Sequence, residues 1–349
     1  MMIRSSVCLV GVCFSVLLGL SHALAQGAGA PAKEETAGVV KQAENYLGAG
    51  KVDEAIQLLG TIPETVTNYP TVAYLLGIAY HLKRDYVHAV EKLSVAVKGV
   101  PETGKEYGQA IQILGLSHYL LGHPSEAIPY LEQTQRLLPQ SAEIAYALGT
   151  CYIQSHNPDK SRETFARMFK VPQSSAAAYL INGQMMVRQN FEELAEPELK
   201  KALAIDPRLP QVNFLLGEIS IYHADINRGI VLLQREIDIN PTFALAHYWL
   251  GEAYTRQLKW AEAIAPLQKS IWLNPYFSGP YIALGKVYLK QGDLQNAEGM
   301  LRQATKMDPN NFSAHHLLAQ VLQRAGRPEE AKREFETAEK MRTSADKEP

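Results

Sequence analysis

Glycine recurs every 34 residues through the middle of the chain, at Gly149, Gly183, Gly217, Gly251 and Gly285. Proline recurs with the same spacing at Pro207, Pro241, Pro275 and Pro309. A fixed period of this length admits few folds. It specifies one small supersecondary unit repeated along the chain, and no single unit buries its apolar face without a neighbour. Repeats starting at Ala176, Pro210, Ala244 and Ser278 extend to Phe312 on one side and to Ala142 and Gly108 on the other. An insertion of four residues near Pro101–Tyr107 then shifts the frame to starts at Pro70 and Thr36. The chain thus divides into about nine repeats.

Equivalent positions, numbered 1 to 34 within each repeat, share their chemistry. Position 8 holds Ala43, Gly77, Gly115, Gly149, Gly183, Gly217, Gly251, Gly285 and Ala319. Position 20 holds Ala55, Ala89, Ala127, Ser161, Ala195, Gly229, Ala263, Ala297 and Ala331. Position 24 holds Leu59, Leu93, Leu131, Phe165, Leu199, Leu233, Leu267, Leu301 and Phe335. Two small columns and one large apolar column describe a pair of helices that approach closely and share a filler side chain. Each repeat reads as two apolar-periodic helices joined by a short turn, with proline after the second. Burying each position-24 side chain is worth ~1.5–3 kcal/mol, so this column is a main source of cohesion.

The units containing Leu250-Gly251, Tyr254, Ala263 and Pro275, and then Leu284-Gly285, Tyr288, Ala297 and Pro309, resemble the tetratricopeptide repeat. The resemblance covers about residues 36–345. It implies an all-α fold, a right-handed superhelical solenoid of 34-residue helix-turn-helix repeats. It also implies that first helices line a concave groove where family members mostly bind other proteins. The chain departs from the family at position 4, where a frequent tryptophan is replaced by Ala73, Ile111, Tyr179 or His247. Pro129, Pro197 and Pro266 fall inside second helices, where each removes a backbone hydrogen bond.

The first 25 residues are of another kind. Arg4 precedes an uncharged, largely apolar run from Val7 to Leu20, and Ala23-Leu24-Ala25 supplies the small-x-small pattern of a signal-peptide cleavage site. The expectation is export to the periplasm or outside the cell, with cleavage after Ala25. An uncleaved anchor is the alternative, and only then does the chain contact a membrane. Val7 and Val12 precede Cys8 and Cys13, which argues against a lipoprotein signal. Residues 26–35 read as a flexible Gly/Ala/Pro linker, residues 36–345 as the solenoid, and residues 346–349 as a frayed tail. The polar stretch around Glu329–Met341 reads as the terminal cap that a repeat stack requires, which favours a monomer.

The chemistry of a catalyst is missing from the sequence. There is no His-Glu-x-x-His, no glycine-rich phosphate loop and no nucleophile motif, and the adjacent His315 and His316 lack the i, i+4 spacing of a helical zinc site. The expectation is no enzyme, no metal and no cofactor. A formal net charge of -2 suggests no nucleic-acid partner. Cys151, the one cysteine beyond the signal, occupies a core column and reads as a buried, inert thiol.

What remains is the groove. Tyr74, Tyr146, Phe214 and Tyr248 at position 5, Tyr119 at position 12 and Tyr222 at position 13 are candidates for an aromatic lane that receives an extended peptide or an amphipathic helix. The competing reading is that these rings pack first helix against first helix. Position 13 also carries Arg188, Arg256, Lys290 and Arg324, with Lys286 one turn before Lys290, a candidate cationic ladder for acidic partner groups. Here the competitors are a helix-dipole role near helix C-termini and an i, i+4 pair between Glu252 and Arg256. The expected function is a protein-interaction scaffold of an envelope or secretion assembly. A glycan or cell-wall fragment in the aromatic groove, and a membrane-anchored scaffold, are the alternatives.

Overall fold

The computed structural model describes residues 31–345, with side chains from Thr36 to Arg342. The expected signal, the first part of the linker and the frayed tail lie outside the described residues. The contacts divide the chain into two compact bodies, one up to Thr164 and one from Phe165 onward. All regular structure among the described residues is helical.

The N-terminal body contains α1 (Pro31–Gly48), α2 (Val52–Leu59), α3 (Tyr69–Leu82), α4 (Tyr86–Gly99), α5 (Lys105–Leu120), α6 (Pro124–Leu137) and α7 (Ala142–Gln154). α8 (Pro158–Met168) crosses the division, and the C-terminal body continues with α9 (Ala176–Arg188), α10 (Glu192–Ile205), α11 (Val212–Tyr222), α12 (Ile226–Ile239) and α13 (Ala244–Arg256). It ends with α14 (Trp260–Leu273), α15 (Ser278–Gln291), α16 (Leu294–Met307), α17 (Phe312–Arg324) and α18 (Pro328–Ala345). Among the described residues the helices form nine successive pairs of a helical repeat solenoid. Within each body, first helices also touch first helices of adjacent repeats, as α3 touches α5 and α11 touches α13, which sets them on the inner side of the array.

Local departures from the period have local causes. α1 begins at Pro31, so residues 31–35, expected as linker, are helical; proline is favoured at a first helical position because its missing N–H has no intrahelical acceptor there. α2 stops at Leu59, four residues before Pro63, whereas α4 runs for 14 residues. The four-residue insertion lengthens α5, which starts at Lys105, ahead of Gly108. The helices holding Pro129, Pro197 and Pro266 continue to Leu137, Ile205 and Leu273.

The packing follows the columns. Every position-24 residue from Leu59 to Leu301 is fully buried, and Phe335, in the last described helix, is half-buried. A Cβ placed on Gly251 would lie 2.5 Å from Leu267 Cγ, so the position-8 glycine is required by the leucine that fills its site. Cys151 is fully buried and unpaired, and burial pushes its thiol up to about 12. An inert core thiol follows.

The turn between the two helices of each repeat reuses one conformation. Position 15 has positive φ in all nine repeats, at Gly50, Arg84, Gly122, His156, Asn190, Ala224, Leu258, Gly292 and Gly326. The next residue donates its N–H back to position 11, as Asp85 does to Tyr80 at 2.9 Å and Asp225 to Ser220 at 2.8 Å. This is the left-handed C-terminal cap, which satisfies carbonyls that a helix end leaves open. In several repeats that same residue also starts the second helix: the carboxylates of Asp85, Asp225 and Asp293 accept from backbone N–H groups three residues on.

Leu258 occupies this left-handed site at φ 60 with a γ-branched side chain that is 67% exposed. The conformation costs a non-glycine residue about 1 kcal/mol. Leu258→Gly is therefore expected to stabilise the chain by up to about 1 kcal/mol, less the added freedom of the unfolded chain. Gly122→Leu is expected to destabilise it by a similar amount. Denaturant midpoints of the two variants check the pair of signs.

Candidate functional site

First helices meet on the inner side of each body, so the candidate residues are taken body by body. In the N-terminal body, Tyr74 on α3 is buried and its hydroxyl donates to Gln109 Oε1 of the next repeat. Burial pushes its phenol far above the usual range, with Glu106 and Glu44 adding to the effect. Tyr119 on α5 is half-buried; burial raises its phenol, while a hydrogen bond with Thr150 opposes the rise. Tyr146 on α7 is half-buried close to Tyr119. Tyr74 thus joins adjacent first helices, and Tyr119 and Tyr146 keep part of their surface open.

In the C-terminal body the position-5 rings meet a partner that the column reading did not include. Phe214 is buried against Phe243, with ring centroids 5.0 Å apart and nearly perpendicular planes. Tyr248 repeats the arrangement one unit later against Phe277, again at 5.0 Å. Phe243 and Phe277 stand at position 34, and such edge-to-face pairs are worth ~0.5–1.5 kcal/mol beyond their burial. Tyr248 stays half-buried, and burial drives its phenol well above the usual range. Tyr222, at the end of α11, is 56% exposed. It is the open aromatic of this face.

The cations of the ladder differ in their engagement. Arg188, Arg256, Lys290 and Arg324 are exposed at the C-terminal ends of α9, α13, α15 and α17. Arg256 Nη1 lies 3.4 Å from Ile221 O and Arg324 Nη1 lies 3.4 Å from Leu289 O. Both carbonyls end the first helix of the preceding repeat, where the helix dipole favours a cation. Two rungs therefore brace the array through long, weak hydrogen bonds that leave the guanidinium groups accessible. Lys286 is half-buried and, with Arg256, faces Glu252.

Two acids lie on this face: Glu218, which the sequence reading did not single out, and Glu252, which entered it only as an i, i+4 partner of Arg256. Glu218 and Glu252 occupy position 9 of successive repeats, half-buried. Burial holds the carboxyl of Glu252 above its ordinary range, and Lys286 and Arg256 pull it back. Burial and Glu192 both hold that of Glu218 up, and no cation opposes them. The inner face of this body thus alternates recessed carboxylates with projecting cations. Such an arrangement suits a partner segment carrying both signs of charge.

Other polar departures from the columns are structural. Glu236 is fully buried at a position held elsewhere mostly by small residues, and its carboxylate accepts from the backbone N–H groups of Gln211 at 2.7 Å and Phe214 at 3.3 Å. It caps α11 from the neighbouring helix. Asn182 replaces a leucine of position 7 and donates to Glu198 Oε2 at 2.8 Å, both buried. At position 4, His247 Nε2, the Tyr281 hydroxyl and His315 Nε2 each reach the carbonyl of the proline six residues before, at 3.0, 3.3 and 3.0 Å. Side chains in the place of the family's tryptophan thereby tie each repeat to the preceding loop. His315 also meets Glu334 at 2.6 Å, and no group of metal-binding side chains stands among the described residues.

Family models described as tetratricopeptide repeat match residues 119–181 and 288–344, and a further one matches residues 245–275. No curated protein matches the chain. Among solved structures, that of MamA is 25% identical over 48% of this chain and 97% of its own, with a TM-score of 0.44. YrrB, a TPR protein with an unusual peptide-binding site, is 17% identical over 52% of this chain and 93% of its own, at a TM-score of 0.45. The APC/C hetero-tetramer Cut9-Hcn1 is 17% identical over 84% of this chain and 57% of its own, at 0.44.

Glu218 yields a pH test with a definite sign. A carboxyl held above its ordinary value of 4.5 binds its proton more tightly in the folded chain, so ionising it costs stability at neutral pH. Glu218→Gln is expected to raise the thermal midpoint at pH 7. The gain should shrink as the pH falls through the raised value and vanish well below 4.5. Thermal scans from pH 3.5 to 7.5 read the difference.

Proposed function

The chain is a tetratricopeptide repeat protein, and from that premise we propose that it is an exported, non-enzymatic scaffold that binds a segment of another protein on its inner faces. The observation that carries the reading is the chemistry left open there. Tyr222 is exposed on α11, Arg256 of the next repeat reaches the carbonyl of Ile221 beside it, and the recessed Glu218 lies one turn earlier, while Tyr74, Phe214 and Tyr248 are largely committed to packing. An exposed tyrosine beside an arginine is the composition of an interface anchor. A sugar requires an open ring face to stack on. Phe214 and Tyr248 are edge-packed by Phe243 and Phe277, which favours a protein segment over a glycan.

Export is supported by Arg4, the apolar run Val7–Leu20 and Ala23-Leu24-Ala25. Among the described residues no helix is long and apolar enough to cross a membrane. The partner then belongs to an envelope or secretion assembly, and the chain recovered from its cell is expected to begin at Gln26.

The test is affinity capture from an envelope extract with the full chain as bait, followed by titration of the retained protein. Tyr222→Ala combined with Arg256→Ala is expected to weaken binding at least tenfold, about 1.4 kcal/mol or more. Both side chains are exposed, so the unfolding midpoint should stay within a few degrees of the parent. Phe214→Ala serves as the contrast. It opens a buried site and should lower stability by ~3–5 kcal/mol. Retention of full affinity by the double variant would place the interface elsewhere.

A further inference from the structure

The seventh repeat carries two large side chains that the fold does not use. Trp272, in the last turn of α14, is 72% exposed, and Tyr276, in the loop that follows, is 91% exposed. In the same body the equivalents of Trp272 are Lys170, Ala204, Asp238, Lys306 and Lys340, and those of Tyr276 are Ser174, Arg208, Thr242, Asn310 and Ser344. These columns are otherwise small or polar, as an outward face should be. Folding gains almost nothing from an indole and a phenol left in water, so the pair is informative in a way that a single exposed leucine is not.

Charge surrounds the pair. Lys269, one turn earlier on α14, holds its Nζ 3.9 Å from the Trp272 ring centroid. Arg235, the equivalent of Lys269 in the sixth repeat, and Lys306, the equivalent of Trp272 in the eighth, are both exposed. Neither has a carboxylate within ion-pair distance among the described residues. Asp238 is the opposing acid in these columns. The face therefore presents two amphipathic rings flanked by cations from three successive repeats.

Shape narrows the occupant. The rings project into solvent, which suits contact with a broad surface better than a small-molecule pocket. The cations are spread one per repeat instead of gathered into a rim, which fits a broad layer of negative charge better than a single acidic groove. Tryptophan and tyrosine with flanking lysine and arginine are suited to the polar boundary of a bilayer, where the ring enters the acyl edge and its N–H or O–H stays hydrated. Each neighbouring cation adds attraction to anionic headgroups. We propose that this outward face of the C-terminal body seats on an anionic lipid surface through Trp272 and Tyr276, with Arg235, Lys269 and Lys306 on the headgroups.

The experiment uses the full chain and vesicles of phosphatidylcholine, with or without phosphatidylglycerol, containing lipids brominated on the acyl chain. Bromine quenches indole fluorescence only at close range, so the signal is local. Attachment through another segment does not produce it at Trp272. The chain has three tryptophans, and Trp249 and Trp260 are half-buried. Quenching present in the parent and lost in Trp272→Phe therefore belongs to Trp272. The expected result is such quenching on the phosphatidylglycerol vesicles, reduced at least fivefold by Arg235→Glu with Lys306→Glu and weakened by added salt. Equal quenching of the parent and Trp272→Phe would overturn the proposal. So would Trp272 quenching that is the same on neutral and anionic vesicles, or unchanged by the charge reversals.

Discussion

The fold depends on one close approach made in every repeat. A tiny residue at position 8 faces a large one at position 24, and there is no room for both to be large: the missing Cβ of Gly251 would lie 2.5 Å from Leu267 Cγ. That contact fixes the spacing of the two helices. The small residues at position 20, such as the fully buried Ala263, keep the same spacing from the other side. Because the pair is locked by so few positions, the remaining columns are free to vary.

The turn transmits this regularity. One left-handed residue ends the first helix, and its successor both closes that helix and opens the next, so helix ends fall in register from repeat to repeat. Registered ends put the C-terminal carbonyls of first helices in a row. Arg256 and Arg324 exploit this by reaching back to Ile221 and Leu289 of the preceding repeat. The cationic ladder and the stacking are thus parts of one arrangement. A guanidinium held by a single long hydrogen bond keeps donors for a carboxylate of a partner.

Much of the fold was legible because its determinants are local and periodic. The small and large columns required helix pairs, and the helices lie where the columns require them. Position 15 was harder to read, since Arg84, His156, Ala224 and Leu258 share a backbone conformation that their side chains do not advertise. The candidate site was legible only as a set of columns. Which rings stay open is decided by Phe243 and Phe277 at position 34, residues that lie next to the following first helix and have no aromatic equivalent in most repeats. The recession of Glu218 and Glu252 was equally hidden, although Glu252 was visible as an i, i+4 partner of Arg256. Trp272 and Tyr276 left a trace in the sequence, as aromatics in polar columns, but only exposure distinguishes them from core.

On the proposed reading, partner recognition belongs to the first helices and not to the second. Hydrogen–deuterium exchange of the full chain, alone and saturated with the protein it retains, tests that division most directly. Slowed exchange is expected at the C-terminal turns of α11 and α13, around Tyr222 and Arg256, with α12 and α14 unchanged. Protection confined to α12 and α14, or spread evenly over both helices of each repeat, would contradict it.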